Sequence, residues 1–309
     1  MITRRKERPS GVFFAPLSLD RNNKIASMPN DADVAMSQPS GSSLTDFLNG
    51  RVLLYNQPSF IRMDPVSIPH LFTKQQDIEI SALFAAVFSW GNRTTIIRKS
   101  RELMKMMDDA PHDFVCNHTE KELVNLLNFT HRTFNATDLL YFIEFLRCHY
   151  SGIINPGNGK NLSVDRAITL ETAFTHWMDP SDTDVEKALS GFHNYFFSLE
   201  DAPSRTRKHI ATPTRNSSCK RLNMFLRWMV RVDKQGVDFG IWRSISPSQL
   251  VCPLDLHVSR VARRFGLLKR QQADWTAAIE LTNNLRIMDA KDPVKYDFAL
   301  FGLGIEERY

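Results

Sequence analysis

Apolar residues recur three and four positions apart along most of the chain, the period of an α-helix with one buried face. The run at 78–90 (IEISALFAAVFSW) is almost continuously apolar and predicts a buried helix. At 94–107 (TTIIRKSRELMKMM) the apolar residues fall at 96, 97, 103 and 107, which predicts an amphipathic one. Thr137 is a plausible cap for a helix over 137–150, with Leu139, Phe142, Ile143 and Leu146 on its apolar face. Further helices are predicted over 167–178, 185–199, 217–231, 255–265, 273–288 and 294–302. That at 217–231 is strongly basic and carries Leu222, Phe225, Leu226, Met229 and Val230 on its apolar side. The breaker cluster Asn-Pro-Gly-Asn-Gly-Lys-Asn at 155–161 predicts a loop. Alternating strand patterns and internal repeats are lacking, so the expected fold class is all-α. Residues 1–44, rich in Ser, Pro, Asn and Asp, read as a flexible N-terminal extension or as translation from an upstream start codon. The folded domain is expected over 45–309.

Composition narrows the class. With 309 residues, 42% hydrophobic and 24% charged, the chain is globular and long enough to bury a core without staples. No apolar run approaches the roughly 18–20 residues of a membrane helix. The best candidate, 78–90, is too short and contains Glu79. Arg4-Arg5-Lys6 precedes an apolar stretch at 11–19, but Pro16 and Ser18 interrupt it and Asp20 ends it, so no signal peptide is expected. The four cysteines, Cys116, Cys148, Cys219 and Cys252, are spaced by 32, 71 and 33 residues. That spacing suits neither a zinc knuckle nor a disulfide framework, and a cytoplasmic protein is expected. The nine histidines form no H-E-x-x-H pair, and His112 and His118 do not share a helical face. No glycine-rich phosphate loop occurs. Neither a metal nor an organic cofactor is expected.

Charge is unevenly spread. The whole chain carries +5, yet residues 205–270 hold 15 Lys/Arg against Asp233, Asp238 and Asp255, a local +12. A basic segment in an otherwise acidic chain fits a polyanionic partner, and equally a solvated surface rich in cations.

The stretch from Cys252 to Leu268, CPLDLHVSRVARRFGLL, carries the most chemistry. Pro253 ends an extended approach, and Asp255 stands where a helix N-cap belongs, a position that favours its ionised form. Val258, Val261, Ala262 and Phe265 make the buried face, while Arg260, Arg263 and Arg264 point elsewhere. On these grounds alone Asp255 is a cap. The stretch also resembles a segment of the helix-hairpin-helix DNA glycosylase superfamily, (V/L)-D-x-H-V-x-R-V-x-x-R-L-G, whose aspartate is the catalytic carboxylate at the head of a helix. The run DFALFGLG at 297–304 is similar to the closing helix of that superfamily, and 83–103 to its early helix-turn-helix beside the base pocket, with Trp90-Gly91-Asn92-Arg93 at the turn. No four-cysteine cluster motif follows. Over roughly 50–309 the chain also resembles a bacterial domain-of-unknown-function family, number 2400, through segments such as HRTFNATDLLYF (131–142) and DAPSRTRKH (201–209).

The superfamily resemblance implies a two-lobed all-α fold binding double-stranded DNA, without a membrane, as a monomer. In its bifunctional branch, which includes the 8-oxoguanine glycosylases, a lysine precedes the aspartate, and Lys220 occupies the matching place. Such an amine attacks the sugar C1′, displaces the base and forms a Schiff base, and must be partly neutral to do so. Lys220 also fits a plain phosphate contact. Arg215, Ser217, Ser218, Arg221, Arg260 and Arg264 are the expected DNA-binding residues, and Trp90 and Asn92 the expected base pocket, with Trp90 stacking on an extruded base. The chain departs from the superfamily in two places. The hairpin usually written L-P-G-x-G has no glycine here, at 213–219, and the connection at 231–254 is long. The expected function is excision of a damaged base, an oxidised purine among the candidates. The rival is a non-catalytic nucleic-acid-binding module on the same fold.

Overall fold

The computed structural model describes residues 41–305 except 155 and 157–167. The expectations for residues 1–40 and for most of the 155–161 loop therefore lie outside the described residues. Thirteen α-helices and seven short 3-10 turns make up the described residues. Their sole β feature is one antiparallel bridge between His131 and Phe134. The class is all-α, as the periodicity predicts. The first seven helices are α1 (Gly41–Tyr55), α2 (Pro58–Arg62), α3 (Gln75–Phe88), α4 (Arg93–Met106), α5 (Pro111–Asn117), α6 (Glu120–Asn125) and α7 (Ala136–Tyr150). Then come α8 (Leu170–Thr175), α9 (Glu186–Phe196), α10 (Lys220–Val230), α11 (Leu256–Arg264), α12 (Trp275–Met288) and α13 (Tyr296–Ile305). No described helix is long and apolar enough to cross a membrane.

Local chemistry explains where the boundaries moved. Helix α7 starts one residue earlier than predicted because Asn135 is its cap and forms a reciprocal box with Asp138. Helix α10 starts three residues later, because Cys219 holds a left-handed φ of +50° that a helix cannot contain. Periodicity missed α2, α5 and α6, each too short to display a full amphipathic repeat, and also the 15-residue α1, which starts at Gly41 within the expected 1–44 extension.

Helix α3 is the buried axis predicted from its apolar run. It packs on α4, α5 and α10, and every residue from Ile78 to Phe88 is buried. Phe84 stacks toward Phe142 at 5.6 Å, and Phe142 meets Phe196 edge-on at 4.7 Å, which ties α3 to α7 and α9. The exception on this helix is Glu79. Its carboxylate accepts hydrogen bonds from Trp242 Nε1 (2.8 Å), Tyr150 Oη (2.9 Å), the Leu170 amide (2.9 Å) and Gln75 Nε2 (3.0 Å). Burial pushes its carboxyl up from the ordinary range, against the pull of these donors. One side chain thus gathers α7, α8 and the 231–254 connection onto α3. Helix α13 lies against both α1 and α11. Gly302 and Gly304 permit this, since a Cβ would fall 2.4 Å from the Tyr55 ring and 2.9 Å from His257 Cβ.

Removing the Glu79 carboxylate leaves four donors facing a dry interior. Glu79→Ala is expected to cost at least about 3 kcal/mol in urea unfolding. Acid should also weaken the fold. His149, buried between Tyr195 Oη and the Thr169 carbonyl, is lowered by burial to about 4. Its neutral form stabilises the fold fully above the unfolded pKa of 6.5. That contribution is lost as pH falls from there towards about 4, at up to about 1.4 kcal/mol per pH unit. Urea midpoints measured across this window should decline, and His149→Gln should flatten the decline.

Candidate active site

The turn before α10 determines where Lys220 stands. Asn216 and Cys219 both adopt left-handed conformations, at φ +55° and +50°, so this glycine-free segment makes the reversals that glycine usually provides. Asparagine tolerates that conformation, and Cys219 holds it at a strain cost of order 1 kcal/mol. Three side-chain bonds secure the turn: Asn216 Nδ2 to Asp274 Oδ2 (3.2 Å), the Cys219 amide to Ser217 Oγ (3.2 Å), and Asn223 Nδ2 to the Ser218 carbonyl (3.0 Å). Lys220 is therefore the first residue of α10, and Met224 and Arg227 follow on the same face.

The long 231–254 connection folds back along α10 instead of carrying Asp255 away. The amides of Phe239 and Trp242 donate to the carbonyls of Trp228 and Met229, and the Trp242 ring is buried. The chain then reaches Asp255, which caps α11 by accepting the Val258 amide on Oδ1 at 2.9 Å. Its other oxygen, Oδ2, lies 3.7 Å from Lys220 Nζ. One oxygen thus caps the helix while the other faces the amine. The two side chains are partly open, Lys220 at 29% and Asp255 at 18%.

Both face a cavity of about 580 Å³. Helix α10 contributes Lys220, Met224 and Arg227; α13 contributes Asp297, Phe301 and Ile305. Phe60, Met63 and Asp64 close one wall, and the turn between α3 and α4 places Ser89, Trp90, Asn92 and Arg93 on another. A second hollow of about 380 Å³ shares Ser89, Trp90 and Lys220 with the first and is lined by Lys208, His209, Ser217 and Ser218. Lys220 thus borders an aromatic, acidic space on one side and a cationic, hydroxyl-rich one on the other.

The expected residues divide by what they bond. Trp90 lines the cavity with Arg132 stacked 4.4 Å from its ring centre, and its buried indole Nε1 has no hydrogen-bond partner. Asn92 also lines it, but its side chain caps α4 by accepting the Thr95 amide at 3.1 Å. Arg221 turns inward and donates to the carbonyls of Val87 (2.6 Å) and Lys208 (3.0 Å), where it fastens α3 to the segment before α10. Arg260 is exposed on α11, with Nη2 donating to the Gly304 carbonyl at 2.8 Å. Arg215 and Arg264 are exposed.

Sequence reading missed the other charges of the cavity: Asp64, Asp297, Arg93 and Arg227. Burial pushes the Asp64 carboxyl upward, against the Val66 amide and the charges of Arg227, Arg93 and Lys220. Burial and then the Asp255 charge push Asp297 up to about 6, although Arg227 and Lys220 pull the other way. Arg227 had a signal, being a charge seven residues after Lys220 amid the apolar face of its helix. Asp64 had none, since its neighbours belong to a 3-10 turn.

Part of the local +12 is neutralised by carboxylates, and two of its cations, Arg227 and Arg231, are buried. Arg227 pairs with Asp238 and Asp297, and Arg231 with Asp233, Asp238 and Asp292. Arg205 reaches buried Asp138 at 3.4 Å, and Arg270 pairs with Asp274 at 2.5 Å. Asp138 also accepts Thr206 Oγ1 at 2.8 Å and lies 3.4 Å from His209 Nε2. The segments 131–142 and 201–209 therefore meet at one carboxylate.

Because Asp255 does two things, its substitutions should separate. Asp255→Asn keeps the capping oxygen and should leave stability within about 0.5 kcal/mol, whereas Asp255→Ala should lose about 1 kcal/mol in urea unfolding. Equal losses in both would mean that the cap is not made by Oδ1.

No curated protein matches this chain, and no solved structure does. A family model described as "Protein of unknown function (DUF2400)" matches residues 64–306, well over half of the sequence, and the chain belongs to that family.

Proposed function

We propose that this protein is a DNA glycosylase with lyase character, on a two-lobed helix-hairpin-helix glycosylase-like fold, which excises a damaged base from double-stranded DNA. One observation carries the reading: Lys220 Nζ and Asp255 Oδ2 stand 3.7 Å apart, both on one cavity large enough for an extruded nucleoside. A lysine and a carboxylate at this separation suit attack on a sugar carbon. The neutral amine donates its lone pair to C1′ as the bond to the base breaks, and the carboxylate steadies the positive charge that develops on the sugar. Asp255 then receives the proton that the new secondary ammonium must lose. The Val258 amide holds the carboxylate in place, so little reorganisation accompanies the step.

The surroundings support DNA as the substrate. Lys208, Ser217 and Ser218 line the hollow beside Lys220, where a backbone phosphate would meet one cation and two hydroxyls. Exposed Arg215 on the turn before α10, and Arg260 and Arg264 on α11, provide further phosphate contacts. Trp90, backed by Arg132, supplies an aromatic wall for the extruded base.

Incubation with duplexes bearing 8-oxoguanine, uracil or an abasic site, followed by borohydride, should trap a covalent protein–DNA adduct. Lys220→Gln should abolish it, and Asp255→Asn should slow its formation by roughly 100-fold or more. Tight binding without adduct, weakening steeply with salt, would instead identify a binding module in which Lys220 contacts phosphate.

A further inference from the structure

The ion pairs behind the cavity do not balance. Arg227 and Arg231 are both buried, and between them they pair with Asp233, Asp238, Asp292 and Asp297. Two positive charges face four carboxyl groups, and both guanidinium groups are shared. A buried surplus of negative charge is relieved by taking up protons. Asp238, Asp292 and Asp297 are all pushed upward, with burial the largest cause in each. Of the four, only Asp297 lines the cavity that holds Lys220 and Asp255.

The groups around Asp297 set its balance. From α10, Arg227 donates to its Oδ2 and Lys220 adds a second positive charge. At the head of α11, Asp255 opposes ionisation, and the nearby Cys252 thiol is held neutral by burial. Within the other elements packed on α13, Tyr55 of α1 meets Gly302, and Lys295 in the turn before α13 pairs with Asp289. Asp64 lies across the cavity and is also pushed up by burial. Its Oδ1 accepts the Val66 amide at 3.0 Å, a bond that favours the ionised form.

We propose that Asp297 is the acid that protonates the departing base. The assignment rests on the base-excision reading above and completes its proton inventory. As the Lys220 lone pair forms the Nζ–C1′ bond, the C1′–N bond breaks and its electron pair stays with the base. The Asp297 O–H proton moves to a ring nitrogen of that base, which leaves neutral instead of as an anion. Asp297 becomes a carboxylate paired with Arg227, and the new secondary ammonium yields its proton to Asp255. No co-reactant is consumed. The site consequently serves neutral bases that leave poorly without a proton. A base already cationic, such as 7-methylguanine, does not need Asp297.

The test compares the full-length protein with Asp297→Asn, which keeps an acceptor for Arg227. Single-turnover release is measured from duplexes carrying a neutral lesion (8-oxoguanine, hypoxanthine or uracil) and from duplexes carrying 7-methylguanine. For the neutral base released fastest, Asp297→Asn should be slower by roughly 100-fold or more, with 7-methylguanine release changed less than about threefold. The acid works while protonated, whereas Lys220 must be neutral in both proteins, so the ratio of the wild-type rate to the Asp297→Asn rate on the neutral base should fall about tenfold per unit as pH rises beyond the Asp297 pKa. Equal slowing on both kinds of base, or an unaltered pH profile, would overturn the assignment while leaving Lys220 and Asp255 intact. Failure of the wild-type protein to release any base or form an adduct would remove both readings. Urea unfolding of the variant distinguishes a lost proton from a lost fold.

Discussion

Arg227 is the constraint on which the rest of the site depends. It sits two turns along α10 from Lys220 and binds Asp297 at the start of α13 and Asp238 in the long connection. Burial alone would strip its charge, but Asp238 and Asp297 outweigh that effect and keep it charged. Its guanidinium also lies over the Phe298 ring, 4.3 Å from the centre, so α10 and α13 meet through one desolvated cation. Helix α13 also packs on α11, at whose head Asp255 stands. Removing one partner of such a pair is costly, since the other charge stays buried and unmatched.

The same constraint changes the meaning of the basic segment. A window of +12 reads as a surface for a polyanion, yet several of its strongest cations face inward. Arg221 binds carbonyls, Arg227 and Arg231 bind aspartates from distant parts of the chain, and Arg205 reaches Asp138. Asp138, Asp292 and Asp297 all lie outside the basic window, so local counting could not pair them. Other cations of the window remain exposed, among them Lys208 and Arg215 before α10 and Arg260 and Arg264 on α11.

Legibility in the sequence followed physical range. Long amphipathic runs were readable because one buried face imposes its period locally, so α3, α4, α7, α10, α11 and α12 appear close to their predicted spans. Short helices and 3-10 turns escaped, since five to seven residues complete no more than about two turns. The Asp255 cap was legible from Pro253 and the residues after it. Its pairing with Lys220 was suggested by resemblance and not by spacing, because the facing oxygen acquires its partner only when the 231–254 connection folds back on α10. The segment at 213–219 has no glycine, yet Asn216 and Cys219 adopt left-handed conformations there.

By itself, the sequence determined the class of structure, the principal helices and the cap at Asp255, all of which rest on spacing along the chain; Lys220 was singled out by resemblance alone. Tertiary structure decided that Lys220 and Asp255 share one cavity, that Asp64, Asp297 and Arg227 join them, and that Arg227 and Arg231 are buried among aspartates. Those outcomes depend on contacts between residues 35 to 160 positions apart, such as Lys220 with Asp255 and Asp64. Charge and burial are properties of a place in space, and a linear pattern specifies that place only once the helices have packed.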